Sequence, residues 1–240
     1  MEIRRLDWDS EFFGLEVFGV YAGTTAAAMP QAGPALEAVI GQLRQQNAGL
    51  AYFFLPEDNS ELRSMLQALG AKLYDEKVTY GKRLAGDEGA KPGGIEEYEG
   101  PCTDELLNLA YLAGHESRFK KDPRLSAWFE PLYKLWMVNS LNGAFADKVF
   151  VYRDGDSIRG MVTCKVRPDG TGSIGLIAST VQGKGVGKWL VQAADAWFQT
   201  GRVGVSTVVT QKSNVQACRF YERTGFSEYK TEYVYHLWFN

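Results

Sequence analysis

Gln182-Gly183-Lys184-Gly185-Val186-Gly187 stands between a strand-like run and a helix-like run, and its spacing decides how the chain is read. Glycines at such a junction let the backbone turn tightly and bring N–H groups close to an anion. The helix behind adds unsatisfied N–H groups and a favourable dipole, worth about 0.3–1 kcal/mol per charge. Two common nucleotide loops fail on spacing. A Walker A loop needs Ser or Thr after its lysine, but Lys188 precedes Trp189, and Gln182 occupies the first glycine position. A Gly-x-Gly-x-x-Gly fingerprint counted from Gly183 ends on Lys188. What remains is Gln-x-x-Gly-x-Gly, a loop whose chemistry suits an anion such as a phosphate at a helix start, although an ordinary glycine-rich turn would share that composition.

On its C-terminal side, residues 186–198 place Trp189, Leu190, Ala193, Ala194 and Trp197 on one helical face. A β-branched strand at 203–209, a helix at 214–224 stopped by Gly225 and a long strand at 229–239 follow. On its N-terminal side, strands at 149–153, 158–167 and 172–177 are separated by Asp154-Gly155-Asp156 and Pro168-Asp169-Gly170, which predicts an antiparallel meander. Helices are expected at 103–115 and 126–142, the second with Ser126 as N-cap. Further back lie a helix at 34–46, a buried strand at 50–55, a short helix at 60–69 and a strand at 71–84. Residues 85–94 hold four glycines, a proline and no large apolar side chain. They read as a linker between a small α/β part, 1–84, and a larger part, 95–240.

The 240 residues are 45% hydrophobic and 23% charged, which is ordinary for a globular protein. With 26 basic against 29 acidic residues and no long basic tract, nucleic acid is not the expected partner. No stretch approaches the roughly 20 apolar residues that cross a bilayer. Cys102, Cys164 and Cys218 are odd in number and lack CxxC spacing, which argues against disulfides or zinc and for a reducing, cytoplasmic setting. Neither that spacing nor His115 and His236 suggests a metal.

After the loop comes Asn214-Val215-Gln216-Ala217-Cys218-Arg219-Phe220-Tyr221, then Gly225-Phe226. Asn214, Ala217 and Tyr221 share one helical face by their spacing of three and four. Loop and helix together resemble the GCN5-related N-acetyltransferase (GNAT) family. The resemblance implies the GNAT acyl-CoA N-acyltransferase fold, an α/β (α+β) architecture with a mixed, mostly antiparallel sheet, for the second part. It implies acetyl-CoA as co-substrate, its pyrophosphate at Gln182, Gly183, Lys184, Gly185, Val186, Gly187 and Lys188. Pantetheine would be flanked by Leu176, Ile177, Ala178 and Ser179, with the thioester carbonyl near Ile177. Asn214 would reach the coenzyme, Ala217 would let the pantetheine pass, and Tyr221 would be the catalytic acid for the leaving thiolate. An unperturbed phenol, with pKa about 10, is protonated at neutral pH and able to donate. Direct transfer in a ternary complex is expected, since Cys218 is offset from the Tyr221 face and has no base spaced beside it.

Trp8-Asp9-Ser10-Glu11-Phe12-Phe13-Gly14 and His115-Glu116-Ser117-Arg118-Phe119 resemble segments of the dTDP-fucosamine acetyltransferases and related nucleotide-sugar amine N-acetyltransferases. That likeness implies a nucleotide-linked 4-amino-4,6-dideoxyhexose as acceptor, with Glu11, Phe12, Phe13, Arg118 and Phe119 as substrate-binding residues. A protein N-terminus, a lysine, a small amine, or a non-catalytic coenzyme-binding scaffold are the alternatives. Glu11, Glu116 and Asp122 are the candidate bases. The expected partners are small molecules, neither nucleic acid nor membrane, and a homodimer is left open.

Overall fold

The computed structural model describes residues 1–23, 32–56, 59–84 and 94–239. The composition break read as a linker therefore lies, up to its last glycine, outside the described residues. The chain divides into two compact units, Met1–Val78 with Lys230–Asn240, and Thr79–Tyr229.

The first unit contains β1 (Glu2–Arg5), α1 (Asp7–Phe13), β2 (Val17–Tyr21), α2 (Ala32–Gln45), β3 (Leu50–Pro56) and α3 (Ser60–Ala68). It also takes the start of β4 (Lys72–Arg83) and most of the last strand, β10 (Ser227–Trp238). Strands lie in the order β1-β2-β3-β10-β4. β2 runs parallel to β3, and β3 is antiparallel to β10 from Leu50↔Trp238 to Pro56↔Glu232. A central strand has both faces covered, which is why residues 50–55 are almost uninterruptedly apolar. Leu36, Val39, Ile40 and Leu43, the predicted stripe of α2, pack with Ala51, Phe53, Leu55, Leu62 and Leu66 into one core. α3 begins on Asn59, whose side chain accepts from the Leu62 N–H, and is followed by Gly70 at φ +88°. His236, 1% exposed, packs against the rings of Tyr52 and Tyr74 at 4.6 and 4.8 Å.

The second unit holds β5 (Ile95–Glu97), α4 (Asp104–Gly114), α5 (Arg118–Lys121), α6 (Phe129–Leu141), β6 (Lys148–Asp154), β7 (Ser157–Val166) and β8 (Gly172–Ser179). Then follow α7 (Val186–Thr200), β9 (Val205–Gln211) and α8 (Val215–Arg223). Strands run in the order β4-β9-β8-β7-β6-β5. The meander β6-β7-β8 is antiparallel as the turn signals require, and β9 joins β8 in parallel.

Two elements differ from their sequence reading. The helix expected from Ser126 starts as a 3-10 turn, Ser126–Trp128, and becomes α-helical at Phe129. Pro131 has no N–H to give and fits the first turn of α6, but would interrupt an α-helix begun at Ser126. On α7 the buried face is Val186, Leu190, Val191, Ala194, Asp195 and Phe198, so Trp189, Ala193 and Trp197 are rotated out of it. Asp195 disguised that face: its carboxylate is tolerated there because the Lys82 ammonium donates to it at 2.7 Å.

Candidate active site

The second unit opens where β8 leaves β9. The parallel ladder covers only Gly172↔Ser206, Ser173↔Thr207 and Ile174↔Val208, although both strands continue. An irregularity on the other edge accompanies the parting. Register against β7 shifts between Val162 and Cys164, so that Gly175 and Leu176 together face Thr163. The Thr163 hydroxyl accepts from the buried Leu176 N–H at 2.8 Å, and a Cβ at position 175 would lie 2.8 Å from that oxygen. Gly175 is thus required by close approach. Successive N–H groups of a strand point to opposite edges. Leu176 and Thr180 both donate towards β7, the latter to the Arg159 carbonyl at 2.9 Å. The Ile177 and Ser179 N–H groups therefore face the side where the β9 ladder has ended. Ile177, Ala178 and Ser179 are half-buried there, whereas Leu176 turns a 4%-exposed side chain into the core.

β8 leads into the glycine loop. Gly183 and Gly185 have φ of +77° and +79°, the left-handed region that favours glycine. Gly185 is the N-cap of α7, and its carbonyl accepts the Trp189 N–H at 3.1 Å. The N–H groups of Val186, Gly187 and Lys188 precede that first helical bond and point out of the helix start. Gln182, Gly183, Lys184, Gly185 and Lys188 are exposed, while Val186 anchors the turn with a 1%-exposed side chain. Gly187 serves a second purpose. A Cβ there would meet the Phe220 ring at 3.1–3.2 Å, so glycine lets α7 and α8 approach.

α8 is capped by Asn214, whose Oδ1 accepts from the Ala217 N–H at 3.1 Å. Capping occupies that oxygen and leaves the Asn214 amide nitrogen without a hydrogen-bond partner among the described residues. Tyr221 ends the face, 5% exposed, with its ring 5.8 Å from Tyr80, 5.3 Å from Phe220 and 5.9 Å from Phe226. Burial raises its pKa well above the usual phenol, and neighbouring Cys218 adds to the rise. Its hydroxyl makes no hydrogen bond among the described residues, so it is free to donate. Cys218 gives its thiol to the Gln211 carbonyl at 3.5 Å.

The expected acceptor residues fall in both units. In the first, Ser10 donates to the Leu6 carbonyl at 2.8 Å and accepts from the Val17 N–H at 3.0 Å, Phe13 is 5% exposed, and Gly14 ends α1 at φ +68°. Much of Trp8–Gly14 is thus spelled by local packing. Glu11 is exposed, and half-buried Phe12 stacks on Trp8 at 5.2 Å. In the second unit, Arg118 lies over the Phe119 ring at 4.2 Å, and Phe119 is 9% exposed. Beside them Ser117, 6% exposed, has a buried hydroxyl with no hydrogen-bond partner among the described residues. Of the other candidate bases, Glu116 pairs with Lys121 at 3.0 Å, which holds its carboxyl below the usual range. Asp122 is fully buried, accepting from the Arg124 N–H at 3.0 Å. Thr163, Phe220 and Ser117 were not singled out by sequence. Only Thr163 had a signal, the glycine inside the strand pattern Ser173-Ile174-Gly175-Leu176.

Among the described residues no cluster of three or more His, Cys, Asp and Glu side chains is arranged to hold a metal ion, and no helix is long and apolar enough to cross a membrane. Residues 109–226 match the model of the Acetyltransferase (GNAT) family. The chain is 27% identical over 241 residues to the dTDP-fucosamine acetyltransferase of Escherichia coli O6:H1, covering 96% of each. It is 27% identical over 137 residues to the spore coat polysaccharide biosynthesis protein SpsD of Bacillus subtilis, covering 57% of this chain and 47% of that one. The match thus spans about half the length of the Bacillus protein. A GCN5-related N-acetyltransferase from Sphaerobacter thermophilus shares the fold with a TM-score of 0.60 at 15% identity, over 92% of this chain and 73% of that one.

Proposed function

We propose that this chain, whose residues 109–226 match the model of the Acetyltransferase (GNAT) family, moves an acetyl group from acetyl-CoA to the amine of a nucleotide-linked amino sugar. The observation that carries the donor half is the parting of β8 from β9 after Ile174, leading straight into the loop at 182–187. An unpaired strand edge offers alternating N–H and C=O groups, which suits the two amides of a pantetheine arm. The Ile177 N–H then polarises the thioester carbonyl. The helix start behind Gly185 meets the pyrophosphate with N–H groups and dipole together. Attack by the amine forms the C–N bond and breaks the C–S bond. Tyr221, kept neutral by its burial, gives its proton to the departing sulfur, and the proton shed by the acylated nitrogen returns through solvent to restore the phenol.

The acceptor half has different support. The E. coli relative is named for a nucleotide-linked amino sugar, and the Bacillus relative for polysaccharide synthesis. Thiol release from acetyl-CoA, followed against a panel of nucleotide-linked 4-amino- and 3-amino-6-deoxyhexoses, lysine peptides and small amines, tests the reading. Turnover is expected with a 4-amino-4,6-dideoxyhexose. Turnover only with a peptide or a simple amine would overturn the acceptor class and keep the donor.

A further inference from the structure

Glu116, offered by sequence as a base, is engaged elsewhere. Its Oε2 lies 3.0 Å from the Lys121 ammonium, and the same ammonium donates to Ser213 Oγ at 2.7 Å. Ser213 Oγ in turn donates to the Glu116 carboxylate at 3.4 Å, closing a three-membered cluster. Lys121 ends α5, the helix that begins at Arg118, and Ser213 immediately precedes Asn214, the cap of α8. The start of α8 is tied back to Gln211, whose carbonyl accepts from the Asn214 N–H at 2.9 Å and from the Cys218 thiol at 3.5 Å. The cluster is thus a lateral tie from the α5 segment to the turn that presents Asn214 and starts the Tyr221 helix.

We infer that Lys121 is a positioning residue for the coenzyme motif: clamped by Glu116, it holds Ser213 and so sets where Asn214 stands for acetyl-CoA. The inference rests on the donor half of the function proposed above. Lys121 and Glu116 side chains are 33% and 35% exposed, so the tie is a modest one, and its loss should be read in affinity rather than in folding.

Calorimetry with acetyl-CoA on the full chain tests this, using Lys121→Met, Ser213→Ala, the double variant and Lys121→Arg. Each single loss should weaken binding by about 3-fold, the size of a partly exposed ion pair or hydrogen bond. The double variant should be no weaker than either single one, because both remove the same tie. Lys121→Arg should recover most of the affinity, with thermal midpoints unchanged throughout. Parent-like affinity in Lys121→Met, or losses that multiply in the double variant, would overturn the inference. A parent chain that binds no acetyl-CoA removes the donor reading and this inference together, before any variant is compared.

Discussion

Tyr221 illustrates how one physical fact sets both the place and the chemistry of a side chain. Rings of Tyr80, Phe220 and Phe226 surround it, and the same low-polarity packing penalises its ionised form. Tyr221→Phe keeps the packing and removes the proton. Turnover should fall about 100-fold, with acetyl-CoA affinity nearly unchanged in calorimetry. An unchanged rate would assign the proton to another group. A raised phenol pKa means the folded state holds the proton more tightly than the unfolded chain. The associated stability is complete below the usual phenol value, about 10, and is lost as pH rises through the folded value. Alkaline titration at 295 nm should therefore leave Tyr221, like its buried neighbour Tyr80, un-ionised until the fold is lost, and Tyr221→Phe should leave the folded-state amplitude unchanged. The glycines divide by cause. Gly183→Ala meets open space but a left-handed φ, and should weaken coenzyme binding through backbone strain of about 1 kcal/mol. Gly187→Val instead drives into Phe220, and should lower thermal stability as well as affinity.

At the scale of elements, the parting of β8 from β9 depends on a local defect on the opposite edge. Thr163 fills the bulge at Gly175-Leu176 with its hydroxyl. Thr163→Val keeps the volume and orphans a buried N–H, a loss of about 1–3 kcal/mol in urea unfolding. It should also lower turnover more than coenzyme affinity, since the neighbouring N–H of Ile177 loses its fixed aim; equal stability of parent and variant would show the bulge stands without it. From β6 onward the element order was legible because turns at Asp154-Gly155 and Pro168-Asp169-Gly170, and the stop at Gly225, carry strong local chemistry. The buried face of α7 was not, because Asp195 interrupts an apolar pattern and its partner Lys82 lies on β4, far off in sequence. β1, α1, β2, β5 and α5, each seven residues or fewer, give no periodic signal long enough to read.

For the molecule as a whole, the chain end returns to the beginning: Lys230–Asn240 belongs to the unit formed by Met1–Val78. Composition could not reveal this, since it registers covalent order whereas the β3–β10 ladder joins residues 50–56 to 232–238. Removing 230–240 strips that ladder from β3 and uncovers Phe53 and Leu55. Amide exchange at Phe53 and Leu55 should then accelerate by several orders of magnitude, and unchanged protection would mean the first unit closes without β10. The candidate site divides in the same way. Loop and α8 residues were readable because glycine spacing and helical faces are local, while Thr163, Phe220 and the Lys121–Ser213 tie exist only through tertiary contact. The central claim is that acetyl-CoA is the donor and a nucleotide-linked amino sugar the acceptor. Mass analysis of the nucleotide sugar after incubation with the protein and acetyl-CoA tests it most directly. The predicted result is a gain of one acetyl group on the sugar nitrogen, matched one for one by free thiol. Tight acetyl-CoA binding without acetylation of any amine offered would contradict it and mark the domain as a binding scaffold.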